Sequence, residues 1–139
     1  MERILVITRD VGWKKQLLRE PEGHGFKLSF VKGLHSQIDR GRVGQSDWII
    51  LDANLLPRPE SPTTNILYRL FREKPVVAVY SPSALLGLKE YRAINIIGVL
   101  DVVQKPSTRR EIGRLLEANT VKLDERKAKD LWQPAIQYP

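Results

Sequence analysis

Five short apolar runs alternate with stretches of helical spacing, and this rhythm restricts the fold of the chain more than any other feature. Ile4 to Ile7, Trp48 to Leu51 and Val76 to Tyr80 are continuous and rich in β-branched residues, and Val99 to Val103 is apolar but for Asp101. Each is too short for a helix and suits a strand covered on both faces. Phe26, Leu28 and Phe30 alternate with polar neighbours, which predicts a half-buried strand at a sheet edge.

Between these runs the period changes. Asp10 precedes Val11, Trp13, Leu17 and Leu18, a helical stripe that Pro21 and the Gly23-His24-Gly25 turn must stop. Leu34 and Ile38 suggest a short, weak helix before Gly41 and Gly44, and Arg58 to Thr64, with two prolines, reads as a loop. Ile66, Leu67, Leu70 and Phe71 form a third stripe, and Leu85, Leu86, Leu88 and Tyr91 a fourth, which Gly98 ends. Thr108 to Glu111 has the spacing of a capping box and opens a fifth helix carrying Ile112, Leu115 and Leu116.

The order is (βα)5. Alternation of this kind implies a parallel sheet covered by helices on both faces, with right-handed crossovers. Chemistry in such sheets gathers at the carboxyl ends of the strands. The residues there are Thr8, Arg9 and Asp10 after the first strand, Asp52 after the third, Tyr80 and Ser81 after the fourth, and Lys105 after the fifth. No glycine-rich phosphate loop stands among them.

Composition narrows the function. At 139 residues, with 42% hydrophobic and 28% charged, the chain has the size and balance of one globular domain. The absence of cysteine removes disulfides, thiol nucleophiles and zinc-thiolate sites and suits a reducing compartment. No run is long and apolar enough for a membrane span or a signal peptide, so a soluble, cytoplasmic protein without a membrane partner is expected. His24 and His35 lie in or beside turns with no second ligand at metal spacing. Ser81 and Ser83 have no histidine positioned as a base. Gly41-Arg42-Val43-Gly44 matches a nucleic-acid clamp in four residues only, and Trp13 and Trp48 occupy core positions.

A net charge of +7 favours acidic partners, nucleic acid among them. The basic residues, Arg40, Arg42, Arg69, Arg72, Arg109 and Arg110 among them, are nevertheless spread along the chain, and solvated helix faces account for most of them. The last stretch, 121–139, opens with seven charged residues between Lys122 and Asp130 and closes on Trp132, Pro134, Ile136, Tyr138 and Pro139. A charged extension of the fifth helix, then an extended aromatic peptide serving as linker, docking segment or strap, is the expectation there.

Asp-Trp-Ile-Ile-Leu-Asp at 47–52, Pro-Val-Val-Ala-Val at 75–79 and Gly-Val-Leu-Asp-Val-Val-Gln-Lys-Pro at 98–106 resemble the receiver domain of two-component response regulators. The resemblance spans about residues 1–120. It implies a three-layer α/β/α, flavodoxin-like fold with strand order 2-1-3-4-5, and signalling rather than enzymatic activity. It also places the phosphoacceptor aspartate at Asp52 and the family's Lys-Pro pair at Lys105-Pro106. Receivers carry two adjacent acids after the first strand to hold Mg²⁺; those positions fall on Thr8 and Arg9, with Asp10 one place late. The hydroxyl that binds the phosphoryl group falls on Tyr80 or Ser81, and the aromatic switch on Val102.

These departures imply an atypical receiver, or pseudo-receiver, independent of phosphorylation and needing no cofactor. Arg9 is expected to pair with Asp52 and, with Lys105, to stand in for the metal. Such a domain works by contact with a protein partner or an output domain, often in transcription regulation, and the face of the fourth helix, fifth strand and fifth helix is the place for a homodimer. Two alternatives remain: a conventional phosphorelay receiver, in which Asp10 and Asp52 recruit Mg²⁺, and a basic nucleic-acid-binding domain.

Overall fold

The computed structural model describes residues 2–21, 23, 25–34, 37–56, 62–81 and 98–137, without the side chains of 37–39, 63–65, 68 and 130–137. β1 (Glu2–Ile7), β2 (Phe26–Val31), β3 (Trp48–Asp52), β4 (Val76–Tyr80) and β5 (Asp101–Gln104) form one sheet. Its order is β2-β1-β3-β4-β5, and every pairing is parallel. The expected architecture and strand order are those observed.

Strand alternation sorts the apolar residues into two cores. Ile4 and Val6 of β1, Ile50 of β3 and Val77 and Val79 of β4 face one side, where Trp13 and Leu17 of α1 (Val11–Leu18) and Ile112 and Leu116 of the C-terminal helix cover them. Leu5, Ile7, Ile49 and Leu51 face the other side, under Val43 of α2 (Gln37–Gly44) and Leu67 and Phe71 of α3 (Pro62–Arg72). Burying each such side chain contributes about 1.5–3 kcal/mol, which makes the sheet the rigid frame for the loops at its carboxyl ends.

Local chemistry fixes the helix ends. Asp10 caps α1, its Oδ1 accepting from the Trp13 N–H at 3.0 Å. α3 begins at Pro62, inside the stretch expected to be loop; a proline at the first helical position gives up an N–H that has no intrahelical partner anyway. α2 runs through Gly41 to Gly44, so the Gly-x-x-Gly stretch is helical rather than a clamp loop. A short 3-10 turn, Ala53–Leu55, follows β3. The fifth strand begins two residues later than the apolar run suggests. The fourth helix, His24, His35 and Ser83 lie outside the described residues.

The C-terminal helix, α4 (Arg109–Gln137), is the one expected fifth. Its capping box forms with a shift: Thr108 Oγ1 accepts from Glu111 N at 3.1 Å, while the Glu111 carboxylate reaches Ser107 N at 2.6 Å. The helix passes residue 120 without a break, so the stretch expected to be an extended peptide is helical to Gln137. Lys122 Nζ meets Asp101 at 3.1 Å and Arg126 donates to the Gly98 carbonyl at 2.8 Å, tying this extension to the start of β5. Arg109 is a second departure: it is buried, its Nε donating to the Leu17 carbonyl at 3.0 Å and its backbone N–H to Glu20. A guanidinium suits that place because the last carbonyls of α1 lack intrahelical donors.

Candidate functional site

The carboxyl ends of β1, β3 and β5 bring four of the singled-out residues together. Asp52 ends β3 with its side chain 4% exposed. Lys105, just beyond β5 and 8% exposed at its side chain, places Nζ 3.0 Å from Asp52 Oδ2 and 3.1 Å from Asp10 Oδ2. Thr8 Oγ1 donates to Asp52 Oδ2 at 2.8 Å and accepts from the Asp10 N–H at 3.1 Å. The other oxygen of Asp52 accepts from Asn54 N at 3.2 Å, and that of Asp10 caps α1. Every oxygen of both carboxylates therefore has a protein donor.

Trp13 completes the enclosure. Its indole N–H donates to the Pro106 carbonyl at 2.8 Å, which anchors the Lys-Pro turn to α1, and Lys105 Nζ lies 5.4 Å from its ring centre. Trp13 is a core residue, as its helical position suggests, but its grip on the lysine turn has no signature in the sequence.

Charges follow this geometry. Burial opposes the Lys105 ammonium more than any single contact favours it, yet hydrogen bonds and attraction from Asp52 and Asp10 together raise its pKa above the ordinary 10.5. Asp10 is held below the ordinary 3.8, first by the Trp13 N–H and then by Lys105.

Arg9 leaves the group. Its Nε donates to the Lys32 carbonyl, just past β2, at 3.2 Å. The expected Arg9–Asp52 ion pair is not among those of the described residues; the cation on Asp52 is Lys105. Side chains alternate along an extended chain, and since Thr8 turns toward Asp52, its neighbour turns toward the β2 edge. At the end of β4, Tyr80 lies beside Gln104 and one residue past Val79, the register partner of Asp52. Among the described residues no hydrogen bond joins Tyr80 or Ser81 to Asp52. Val102 is half-buried in β5 beside Ala78.

No family model matches the chain, and no curated protein is similar to it in sequence. Solved structures are similar in shape. A receiver domain protein (CheY-like) of Methanospirillum hungatei shares 18% identity over 93% of this chain and 98% of its own, with a TM-score of 0.57. A response regulator of Burkholderia pseudomallei, determined with a phosphorylated aspartic acid and a calcium ion, shares 15% over 94% of this chain and 75% of its own, TM-score 0.58. The fold is that of response-regulator receiver domains. A pilus assembly-related protein of B. pseudomallei has it too, at 22% identity over 88% of this chain and 91% of its own, TM-score 0.61.

The receiver fold implies a divalent ion beside the acceptor acid, and the donor set here does not fit one. Mg²⁺ asks for near-octahedral oxygen ligands. Asp10 and Asp52 are bridged by an ammonium, the adjacent acid positions hold a neutral Thr8 and a cationic Arg9, and the described residues contain no group of three metal-binding side chains.

Proposed function

We propose that the chain is a signalling module of receiver type whose phosphorylation site is closed by its own side chains, and that it acts through contact with a protein partner or output domain rather than by phosphoryl transfer. The observation that carries this reading is Lys105 Nζ bridging Asp52 and Asp10 while Thr8 donates to the same Asp52 oxygen. Phosphoryl transfer relies on metal ions and cationic side chains to neutralise the charge of the transferring group. Here the ammonium is already engaged by two carboxylates, and the adjacent acid positions hold Thr8 and Arg9. The unbroken α4, tied to β5 through Lys122 and Arg126, supports an output or a second copy reached along the C-terminal side.

Incubation with acetyl phosphate and Mg²⁺, followed by intact mass measurement, tests it. The unmodified mass is expected. A gain of one phosphoryl group that Asp52→Asn abolishes would instead establish the conventional receiver.

A further inference from the structure

At the opposite end of β1 the sheet carries a polar cavity. It has a volume of about 680 Å³, within the range of small-molecule sites, and lies on the α2 side of β1 and β2. Leu5 and Ser46, both buried, form its base. Arg3 and Lys27 form one wall and Arg42 another.

The cations are placed against their own electrostatic interest. Arg3 and Lys27 are register partners on adjacent parallel strands, and neighbouring strands lie about 4.8 Å apart, so two positive side chains share one face side by side. Neither has an ion pair among the described residues, where the ion-paired lysines, Lys105 and Lys122, each meet a carboxylate. Asp47 does not answer them: its carboxylate accepts from the backbone N–H of Arg3 at 2.7 Å. Arg42 uses one guanidinium nitrogen weakly, on the Phe30 carbonyl at 3.4 Å, which leaves donors of its planar fork for the cavity. Ser29 and Gln45 add neutral donors, whereas the Ser46 hydroxyl is committed to the Arg42 carbonyl at 2.7 Å.

We propose that this cavity binds the phosphate groups of a small phosphorylated ligand. Two guanidiniums, an ammonium and a hydroxyl around a pocket with a buried floor match the tetrahedral, multiply charged oxygens of such a group better than a single carboxylate, which one arginine satisfies. The proposal does not depend on the state of Asp52, because Arg3 and Thr8 are separated by about 16 Å of strand.

Titration of the full chain with inorganic pyrophosphate at constant ionic strength, followed by backbone amide NMR, tests it. Saturable shifts at residues 3, 27, 29, 42 and 45 are expected. Binding should weaken at least about ten-fold in Lys27→Gln/Arg42→Gln, whose thermal midpoint should match that of the parent because both side chains are exposed, and Asp52→Asn should bind as the parent does. Failure to saturate in the millimolar range, shifts centred on Thr8 to Lys14 instead, or unchanged binding in the double variant would each overturn it. So would a single-stranded oligonucleotide that binds far more tightly than pyrophosphate with a footprint running on to Arg9 and Lys32, since that would assign the cations to a nucleic-acid strand.

Discussion

One strand, β1, ends in two opposite electrostatic arrangements. At its carboxyl end a buried ammonium sits between two carboxylates, with a threonine and two backbone N–H groups filling the remaining positions. At its amino end Arg3 stands beside Lys27 with Arg42 nearby, and none of the three has an ion pair among the described residues. The first group is complementary to itself; the second is complementary to something outside it. Burial explains why the two can differ. A charge removed from water must be paired where it lies, whereas exposed cations are kept tolerable by solvent.

The sharpest way to break this contrast is to remove one cation from each end. Lys105→Met should leave the Asp52 carboxylate 4% exposed and without its ammonium. Breaking a buried pair from one side costs about 3–5 kcal/mol, measurable as a lowered urea midpoint at unchanged slope. Asp52→Asn/Lys105→Met should recover much of that loss, because neither member then strands a charge. Additive losses in the pair would mean that the network does not act as a unit.

A smaller effect is expected from the threonine. Thr8→Val keeps the shape but removes the donor to Asp52 and the acceptor for the Asp10 N–H. The loss should be about 1–3 kcal/mol, the cost of leaving buried polar groups unsatisfied. This residue shows both how far the sequence could be read and where it stopped. Thr8 was identifiable as the occupant of a metal-ligand position, and Asp52 and Lys105 as strand-end residues, because strand order and register follow from apolar runs. What the sequence hid was direction. Arg9 is next to Thr8 and better suited by charge to meet Asp52, but the two-residue alternation of extended chain turns Thr8 toward the acid and Arg9 toward Lys32. Arg3 and Lys27 were hidden for a different reason: they are 24 residues apart, and only the β1–β2 register makes them neighbours. Arg109 shows the same limit at a helix end, since nothing in its own neighbourhood announces the Leu17 carbonyl.

Acid should probe the exposed rim of the network. Asp10 has its pKa lowered by folding, so its contribution is fully present above the ordinary 3.8 and fades as pH falls through the lower folded value. Lys105 behaves with opposite sign: its raised pKa contributes below the ordinary 10.5 and is lost only as pH rises through the folded value. Between these limits both contributions are constant. Asp10→Asn retains a good capping side chain but no charge. It should flatten the acid limb of a stability-versus-pH curve measured by urea unfolding and shrink the alkaline limb without removing it, because Asp52 still raises the pKa of Lys105.

The smallest effect is the most telling, because its sign reverses. Lys27→Gln deletes a cation beside another cation, so it should leave stability unchanged or raise it by a few tenths of a kcal/mol at low salt, the scale of neighbouring like charges on a sheet. The gain should disappear in molar salt, where charges several ångströms apart are screened. Saturating pyrophosphate should reverse the order again, stabilising the parent over the variant by preferential binding to the folded state. A loss of stability in Lys27→Gln without any ligand would show that Lys27 already has a partner, and the two ends of β1 would then differ in exposure but not in kind.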